Sequence, residues 1–152
     1  MEDNTQNSTL AERPATPQDA LWLWEQYSEL LKPSVDRQWG WDEAFQLSNF
    51  QKHLPHSLFS IVENRDSPVA SYATEIKEKC IYLHMLLVVS EHQSHGVGTH
   101  VMSLIKARAS EISLPIELSV IPANQVAEFY ENNGFKMIEA TADKQLFRWV
   151  SE

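Results

Sequence analysis

Residues 81–108 read IYLHMLLVVSEHQSHGVGTHVMSLIKAR, and this stretch decides the fold. From Ile81 to Val89 its residues are, His84 apart, β-branched or large and apolar, which predicts a strand. In its last part Val97, Val101, Leu104 and Ile105 recur at helical spacing, which predicts a helix with one apolar face. Between them Gln93-Ser94-His95-Gly96-Val97-Gly98 forms a turn whose two glycines open the helix. Such a turn brings backbone close to a ligand, and the first N–H groups of a helix point outward with partial positive charge. The fitting guest is a phosphate or pyrophosphate. The alternative is a plain strand-to-helix turn that carries two glycines by chance.

Two familiar phosphate loops are excluded by spacing. A dinucleotide fingerprint wants a third glycine where Val101 stands, and no Lys-Ser or Lys-Thr pair follows the glycines as a P-loop requires.

Outward from this stretch the chain predicts further elements. Leu10 to Ala15 reads as a short strand, preceded by a polar segment, residues 1–9, expected to be disordered. Thr16 reads as an N-cap with Pro17 at the first helical position and Asp19 near the positive end of the dipole. The helix that follows carries Ala20, Leu23, Trp24, Tyr27, Leu30 and Leu31 on one stripe and is expected to stop before Pro33. Trp39-Gly40-Trp41 then falls in a loop, followed by a second helix to about Lys52. Leu58–Glu63 and Pro68–Glu75 predict a hairpin around Asn64-Arg65-Asp66-Ser67. Lys77-Glu78-Lys79 turns into the central strand. Pro115–Ile121 predicts a fifth strand with Ile116, Leu118 and Val120 inward, and a helix from near Asn124 ends at Asn133-Gly134. Phe135–Ala140 and Gln145–Val150 close the sheet as an antiparallel pair. Strands of mixed direction joined in this way imply an α/β or α+β fold.

Composition bounds the function classes. The 152 residues, 43% of them hydrophobic and 22% charged, suit one domain with a sizeable core. A single cysteine, Cys80, excludes a disulfide framework and fits a reducing cytoplasm. The polar N-terminus lacks a secretory h-region, and no apolar run reaches the roughly 18 residues a membrane span needs. A net charge of −9 argues against a nucleic-acid partner. It is either a solubility feature or a means of steering a small cationic substrate. His53, His56, His92 and His100 form no ligand set, so no metal is expected.

With these residues in place, the chain resembles the GNAT-type acyl-CoA N-acyltransferases. Gln93, Gly96 and Gly98 match that family's pyrophosphate loop, Q/R-x-x-G-x-G/A. Asn124, Ala127, Phe129, Tyr130, Gly134 and Phe135 match a second signature, N-x-x-A-x-x-F/L-Y-x-x-x-G-F. The resemblance runs from Arg13 onward and is sharp between Tyr82 and Phe135. It implies one GNAT-like domain over residues 10–152, with a mixed, mostly antiparallel sheet of six to seven strands and about four helices. It also implies acetyl-CoA as donor, a primary amine as acceptor, and direct transfer with no acyl-enzyme.

The resemblance further assigns roles. The loop Gln93, Ser94, His95, Gly96, Val97, Gly98 and Thr99 would hold the pyrophosphate, chiefly through the N–H groups of His95, Gly96, Gly98 and Thr99. His95 stands where the family often has Lys, Arg or Gly. The backbone of Leu86 would polarise the thioester carbonyl and that of Val88 would pair with pantetheine, with Leu87 between them. Period-two alternation puts Tyr82, His84, Leu86 and Val88 on one face of the strand. His84 is then either a histidine satisfied by strand neighbours or the base, a place where arylalkylamine members carry histidine. Many other members use a glutamate at the position of Tyr82. Tyr130 is either a core aromatic or the acid that protonates the CoA sulfur. Asn124 is a helix cap, a pantetheine contact, or both. Cys80 lies too early on the strand to act as a relay. Trp39 and Trp41 either cover the core edge or wall the acceptor pocket, where they would meet a cation through their rings, and Tyr82 is expected among the substrate-binding residues.

The expected function is a cytoplasmic acetyl-CoA-dependent N-acetyltransferase acting on a small cationic amine. Two rivals remain: acetylation of a protein N-terminus or lysine, which needs an open groove, and a non-catalytic acyl-CoA-binding regulatory domain. A homodimer through the C-terminal sheet edge is a further expectation.

Overall fold

The computed structural model describes residues 9–152, so the expected disordered segment 1–9 lies outside the described residues except for Thr9. The strands are β1 (Leu10–Pro14), β2 (Phe59–Asn64), β3 (Ser67–Ile76), β4 (Ile81–Val88), β5 (Ile116–Val120), β6 (Lys136–Ala140) and β7 (Gln145–Trp149). The helices are α1 (Ala20–Trp39), α2 (Glu43–His53), α3 (Val97–Ile112) and α4 (Ala127–Asn132). One sheet runs in the order β1-β2-β3-β4-β5-β7-β6. Only β4 and β5 are parallel, which is why α3 crosses between them; a parallel neighbour cannot be reached by a tight turn.

The sheet separates two cores. On one face α3 and α4 lay Val101, Met102, Ile105 and Tyr130 against Leu83, Ile116, Leu118 and Phe147. On the other, α1 and α2 lay Leu23 and Phe50 against Phe59, Ile61 and Ala73, with Trp24, Tyr27 and Met85 beside them. Truncating a fully buried member such as Leu83 or Met102 to alanine costs about 2–5 kcal/mol by the usual cavity penalty.

Arg13 anchors the entry to α1. Its guanidinium grips Asp19 through Nη1 at 2.9 Å and Nη2 at 3.1 Å, and its Nε reaches Glu63 at 3.1 Å. The Asp19 carboxylate in turn accepts the Thr16 N–H at 2.8 Å. Thr16 thus caps a short 3-10 turn, Pro17–Asp19, that leads into the helix.

Two expectations are corrected. The first helix does not stop before Pro33 but runs through it to Trp39, so Trp39 is its last residue and not part of a loop. Proline removes one backbone bond, yet tertiary anchoring outweighs that loss. Ser34 and Val35 are buried, and Arg37, Gln38 and Trp39 are each tied to distant loops. The second correction concerns β4. Its register against β3 steps from Leu83↔Thr74 to Met85↔Ala73, so His84 is an extra residue, a β-bulge. Leu83 faces the α3 side and Leu86 and Val88 pack there too, while Met85 joins the α1 side. The even alternation expected from Tyr82 to Val88 is therefore broken at His84.

The β4–β5 ladder pairs only Ile81↔Ile116 and Tyr82↔Glu117. Beyond that the strands diverge, and the site lies in the opening.

Candidate active site

At the end of β4 a short 3-10 turn, Ser90–His92, leads to Gln93, whose Nε2 donates to the Val88 carbonyl at 3.0 Å and pins the loop to the strand. Ser94 and Gly96 take positive φ, 68° and 79°, and Gly96 is the N-cap of α3. The His100 N–H bonds the Gly96 carbonyl at 2.9 Å, so the N–H groups of Val97, Gly98 and Thr99 precede the intrahelical pattern and remain open to an anion. Gly98 packs closely on the next helix: a Cβ there would stand 3.1 Å from Cζ of Phe129, and the ring would have to give way. A cavity of about 670 Å³ opens onto this turn, lined by Gln93, Ser94, Gly96, Gly98 and Thr99 with Gln125, Val126 and Phe129. Among the sequence-derived loop residues, Val97 is buried and His95 is exposed and outside that lining. His92 lines it instead, and the residues around it include no lysine or arginine.

The backbone of β4 supplies the middle of the cleft. Val89 N–H bonds Val69 O at 2.9 Å, so Val88, opposite Ala70, is a non-hydrogen-bonded partner of β3. By the alternation of an antiparallel ladder, Leu86 opposite Tyr72 is another, and the N–H and C=O of both point toward the diverging β5 side. Leu87, opposite Ser71, spends its backbone groups on β3 and its side chain is buried. Leu86 thus presents its N–H and C=O to the cleft and Val88 its N–H, the Val88 C=O being taken by Gln93, while Leu87 presents neither.

A second cavity, about 640 Å³, shares Leu86, Val88, Gln93, Val126 and Tyr130 with the first and extends between α1, α2 and the sheet. Its walls include Tyr27, Leu30, Leu31, Val35, Trp39, Gln46 and Asn49, with Glu29 as the acidic member. The last turn of α1 bridges this cavity to the other half of the sheet. Arg37 donates to Ala123 O at 2.9 Å, Gln38 to Ala142 O at 2.9 Å, and Trp39 Nε1 to Asp143 Oδ1 at 3.3 Å. Of the aromatics singled out from sequence, Trp39 lines the cavity. Trp41 does not: it stacks on Trp24, and Lys32 Nζ sits 5.9 Å over its ring. Tyr82 also lies outside the lining, with Lys77 Nζ 4.8 Å over its ring and the His84 ring edge-on to it at 4.8 Å.

Tyr130 sits where the two cavities meet, 7% exposed, among Phe129, Phe135 and Phe147. Burial pushes its phenol up to about 12, so it is protonated throughout the physiological range. His84 lines the second cavity, and its Nε2 lies 2.9 Å from Glu75 Oε1. Asn124 is not the cap of α4, which begins at Ala127 behind Val126. The Asn124 N–H bonds Ile121 O at 3.0 Å in the preceding turn, and the residue lines the second cavity. Cys80 is buried, with its thiol pushed up by burial, and borders neither cavity. Among the described residues no group of three His, Cys, Asp or Glu side chains could hold a metal, and no helix is long and apolar enough to cross a membrane.

Sequence reasoning did not find Glu29, Gln38, Glu75, His92 or Asp143 near the site. Glu75 was within reach, since the Lys77–Lys79 turn folds β3 back onto β4. The α1 bridge was not, because it joins residues 104 positions apart.

A family model described as an acetyltransferase (GNAT) domain matches residues 31–151. Among curated proteins no sequence relative matches the chain. Similar solved structures include the PaiA N-acetyltransferase of Thermoplasma acidophilum in complex with coenzyme A, 18% identical with a TM-score of 0.74, the likeness covering 93% of this chain and 99% of that one. Naa50 of Arabidopsis thaliana, in complex with the bisubstrate analogue CoA-Ac-MVNAL, is 14% identical with a TM-score of 0.68, over 94% and 99% of the two chains. N-acetylglutamate synthase of Neisseria gonorrhoeae, complexed with coenzyme A and N-acetyl-glutamate, is 15% identical with a TM-score of 0.66, over 94% of this chain and 35% of that one.

Proposed function

The chain belongs to the GNAT acetyltransferase family and is an acetyl-CoA-dependent acetyltransferase, and from that premise we propose that it acetylates the primary amine of a small cationic molecule. The observation that carries the reading is the cavity between α1, α2 and the sheet, which has Glu29 and Trp39 in its lining and meets the first cavity at Tyr130. The Glu29 carboxylate, the Trp39 ring and the net charge of −9 support a cationic acceptor through charge and cation–π attraction.

The donor's pyrophosphate is held by the open N–H groups of Gly96, Val97, Gly98 and Thr99, within the turn formed by Gln93, Ser94 and His95. Pantetheine runs along β4 and pairs with the open N–H of Val88, and Asn124 flanks it from the other side. Leu86 N–H polarises the thioester carbonyl, the place where charge develops as the tetrahedral intermediate forms. His84 takes a proton from the acceptor's ammonium, and the free amine attacks the carbonyl carbon. The C–S bond then breaks as the Tyr130 hydroxyl protonates the departing thiolate, and the second proton lost by the new amide nitrogen returns to the Tyr130 phenolate. Donor and acceptor meet directly in one ternary complex. A cytoplasmic setting, where acetyl-CoA is available, agrees with the single cysteine.

Release of free thiol from acetyl-CoA, measured against amines, polyamines, amino acids and short peptides, tests the reading. Turnover confined to small cationic amines supports it. Turnover with peptide N-termini and not with small amines would overturn the acceptor class.

A further inference from the structure

We propose that Glu75 is a positioning residue for the reaction, holding the His84 imidazole in the tautomer and orientation in which Nδ1 accepts the acceptor's proton. The inference rests on the reading of His84 as base and adds to it a second residue, on a different strand, and a named nitrogen.

The argument begins with the bulge. As the extra residue of β4, His84 leaves the ladder, and its ring lies beside Tyr82 and near Glu75, on the α1 side of the sheet. Glu75 stands opposite Tyr82 in the β3–β4 register, so its carboxylate meets the imidazole across the strand pair, Oε1 to Nε2 at 2.9 Å. The two residues differ in what they face. His84 lines the acceptor cavity and Glu75 does not, and their side chains are 22% and 46% exposed. The carboxylate is thus on the far side of the ring from the substrate. An ionised carboxylate only accepts hydrogen bonds, so the neutral imidazole must carry its hydrogen on Nε2 and its lone pair on Nδ1. The edge-on Tyr82 ring, 4.8 Å between centroids, limits rotation of the imidazole.

The proton balance is simple. The acceptor's N–H bond breaks, an Nδ1–H bond forms, and the resulting imidazolium faces the Glu75 carboxylate, which stays ionised and stabilises it. The other charged and titratable groups around the pair are Lys77 and Tyr82 on the same hairpin, and Glu117 with its partner Arg148 on the neighbouring strands. Tyr27, Glu29 and Tyr130 lie on the cavity wall. Among the described residues only Glu75 contacts the ring by a hydrogen bond. His84 in turn holds the Glu75 carboxyl below the usual carboxylate range.

The test is the pH dependence of kcat/KM for the whole chain and for Glu75→Ala, Glu75→Gln and His84→Ala, with acetyl-CoA binding and melting temperature as controls for folding. In Glu75→Ala, kcat falls about tenfold with the KM for acetyl-CoA unchanged, because nothing then holds the hydrogen on Nε2 and the lone pair on Nδ1. Glu75→Gln, whose amide oxygen still accepts from Nε2, recovers much of kcat. A change in melting temperature alone, with kcat in place, overturns the inference. If His84→Ala abolishes the acid limb while both Glu75 variants keep kcat, the base reading stands and Glu75 is only a surface ion pair. An acid limb that survives in His84→Ala overturns both.

Discussion

The ring of Phe129 lies 3.1 Å from the point where a Cβ on Gly98 would stand. A helix from one signature of the sequence is thus packed against the glycine turn of the other, and both residues line the cavity proposed for the donor. Gly98→Ala gains helix propensity, so stability is expected to change by less than about 1 kcal/mol. The ring must give way by a few tenths of an ångström, and KM for acetyl-CoA should rise several-fold. Gly96→Ala is the contrast. Its φ of 79° strains any side chain, and the melting temperature should fall by an amount equal to about 1–2 kcal/mol. Equal thermal losses in the two variants would contradict this division of roles.

Tyr130→Phe removes one hydroxyl from a buried ring and leaves its apolar contacts. Acetyl-CoA binding and melting temperature at neutral pH should survive, and kcat should fall roughly 10²-fold, the scale of a lost general acid. Because the phenol is pushed up to about 12 in the folded state, the wild-type rate should show no alkaline fall from this group below pH 10. The neutral phenol favours folding below its unfolded value near 10, and that contribution disappears as pH rises toward the folded value of about 12. Alkaline melting curves of the wild type should therefore drop more steeply than those of Tyr130→Phe.

Asp19 gives the opposite sign. The Arg13 guanidinium and the Thr16 N–H hold its carboxyl well below the usual carboxylate range. Its contribution is complete above the unfolded value near pH 4 and is lost as pH falls toward the folded value. Asp19→Ala should lower stability by about 1 kcal/mol at pH 7, the ordinary worth of a lost cap, with a smaller difference at pH 2–3. Denaturant melts at the two pH values check it. A difference that does not shrink in acid would mean the loss is one of packing.

What the sequence made legible, and what it did not, follows from the range of the interactions. The strand, glycine turn and helix of residues 81–112 are local: β-branched residues, positive-φ glycine and helical spacing lie within a few positions of one another. The hairpin around Arg65-Asp66 is local too, with both residues at positive φ. The bulge at His84 carries no glycine or proline to mark it, and it exists only because β3 and β4 step out of register. Pro33 misleads for the same reason, since what carries α1 past it is held by residues about 85–105 positions away. The turn proposed for the donor, built from local geometry, was therefore readable, and the walls of the second cavity, brought together by long-range contacts, were not.

The bridge from α1 to the β6–β7 turn makes a prediction about specificity. Asp143→Ala removes the acceptor for Trp39 Nε1, and Trp39→Ala removes the ring as well. Both side chains are exposed, so stability should change by less than about 0.5 kcal/mol. KM for a small amine should rise, more in Trp39→Ala, while KM for acetyl-CoA holds. Bulkier amines that the wild type turns over poorly should gain relative to small ones. A panel of amines of graded size measures this, and an unchanged ranking would show that the bridge does not limit the acceptor.

The last prediction concerns the donor. Acetyl-CoA is a polyanion, yet the cavity proposed for it is lined by no lysine or arginine among the described residues, and the turn would meet it with backbone dipoles. Dipoles act at contact range, whereas charge attraction extends over a screening length of about 10 Å at 0.1 M salt. The affinity for acetyl-CoA should therefore change little between about 0.05 and 0.5 M salt, less than several-fold. His95 is exposed in the turn, so His95→Arg adds a permanent cation without disturbing the core. That variant should bind acetyl-CoA more tightly at low salt and lose the advantage at high salt. A steep salt dependence in the wild type would mean that a cation outside the cavity lining reaches the donor, with Lys106 and Arg108 on α3 the first to replace.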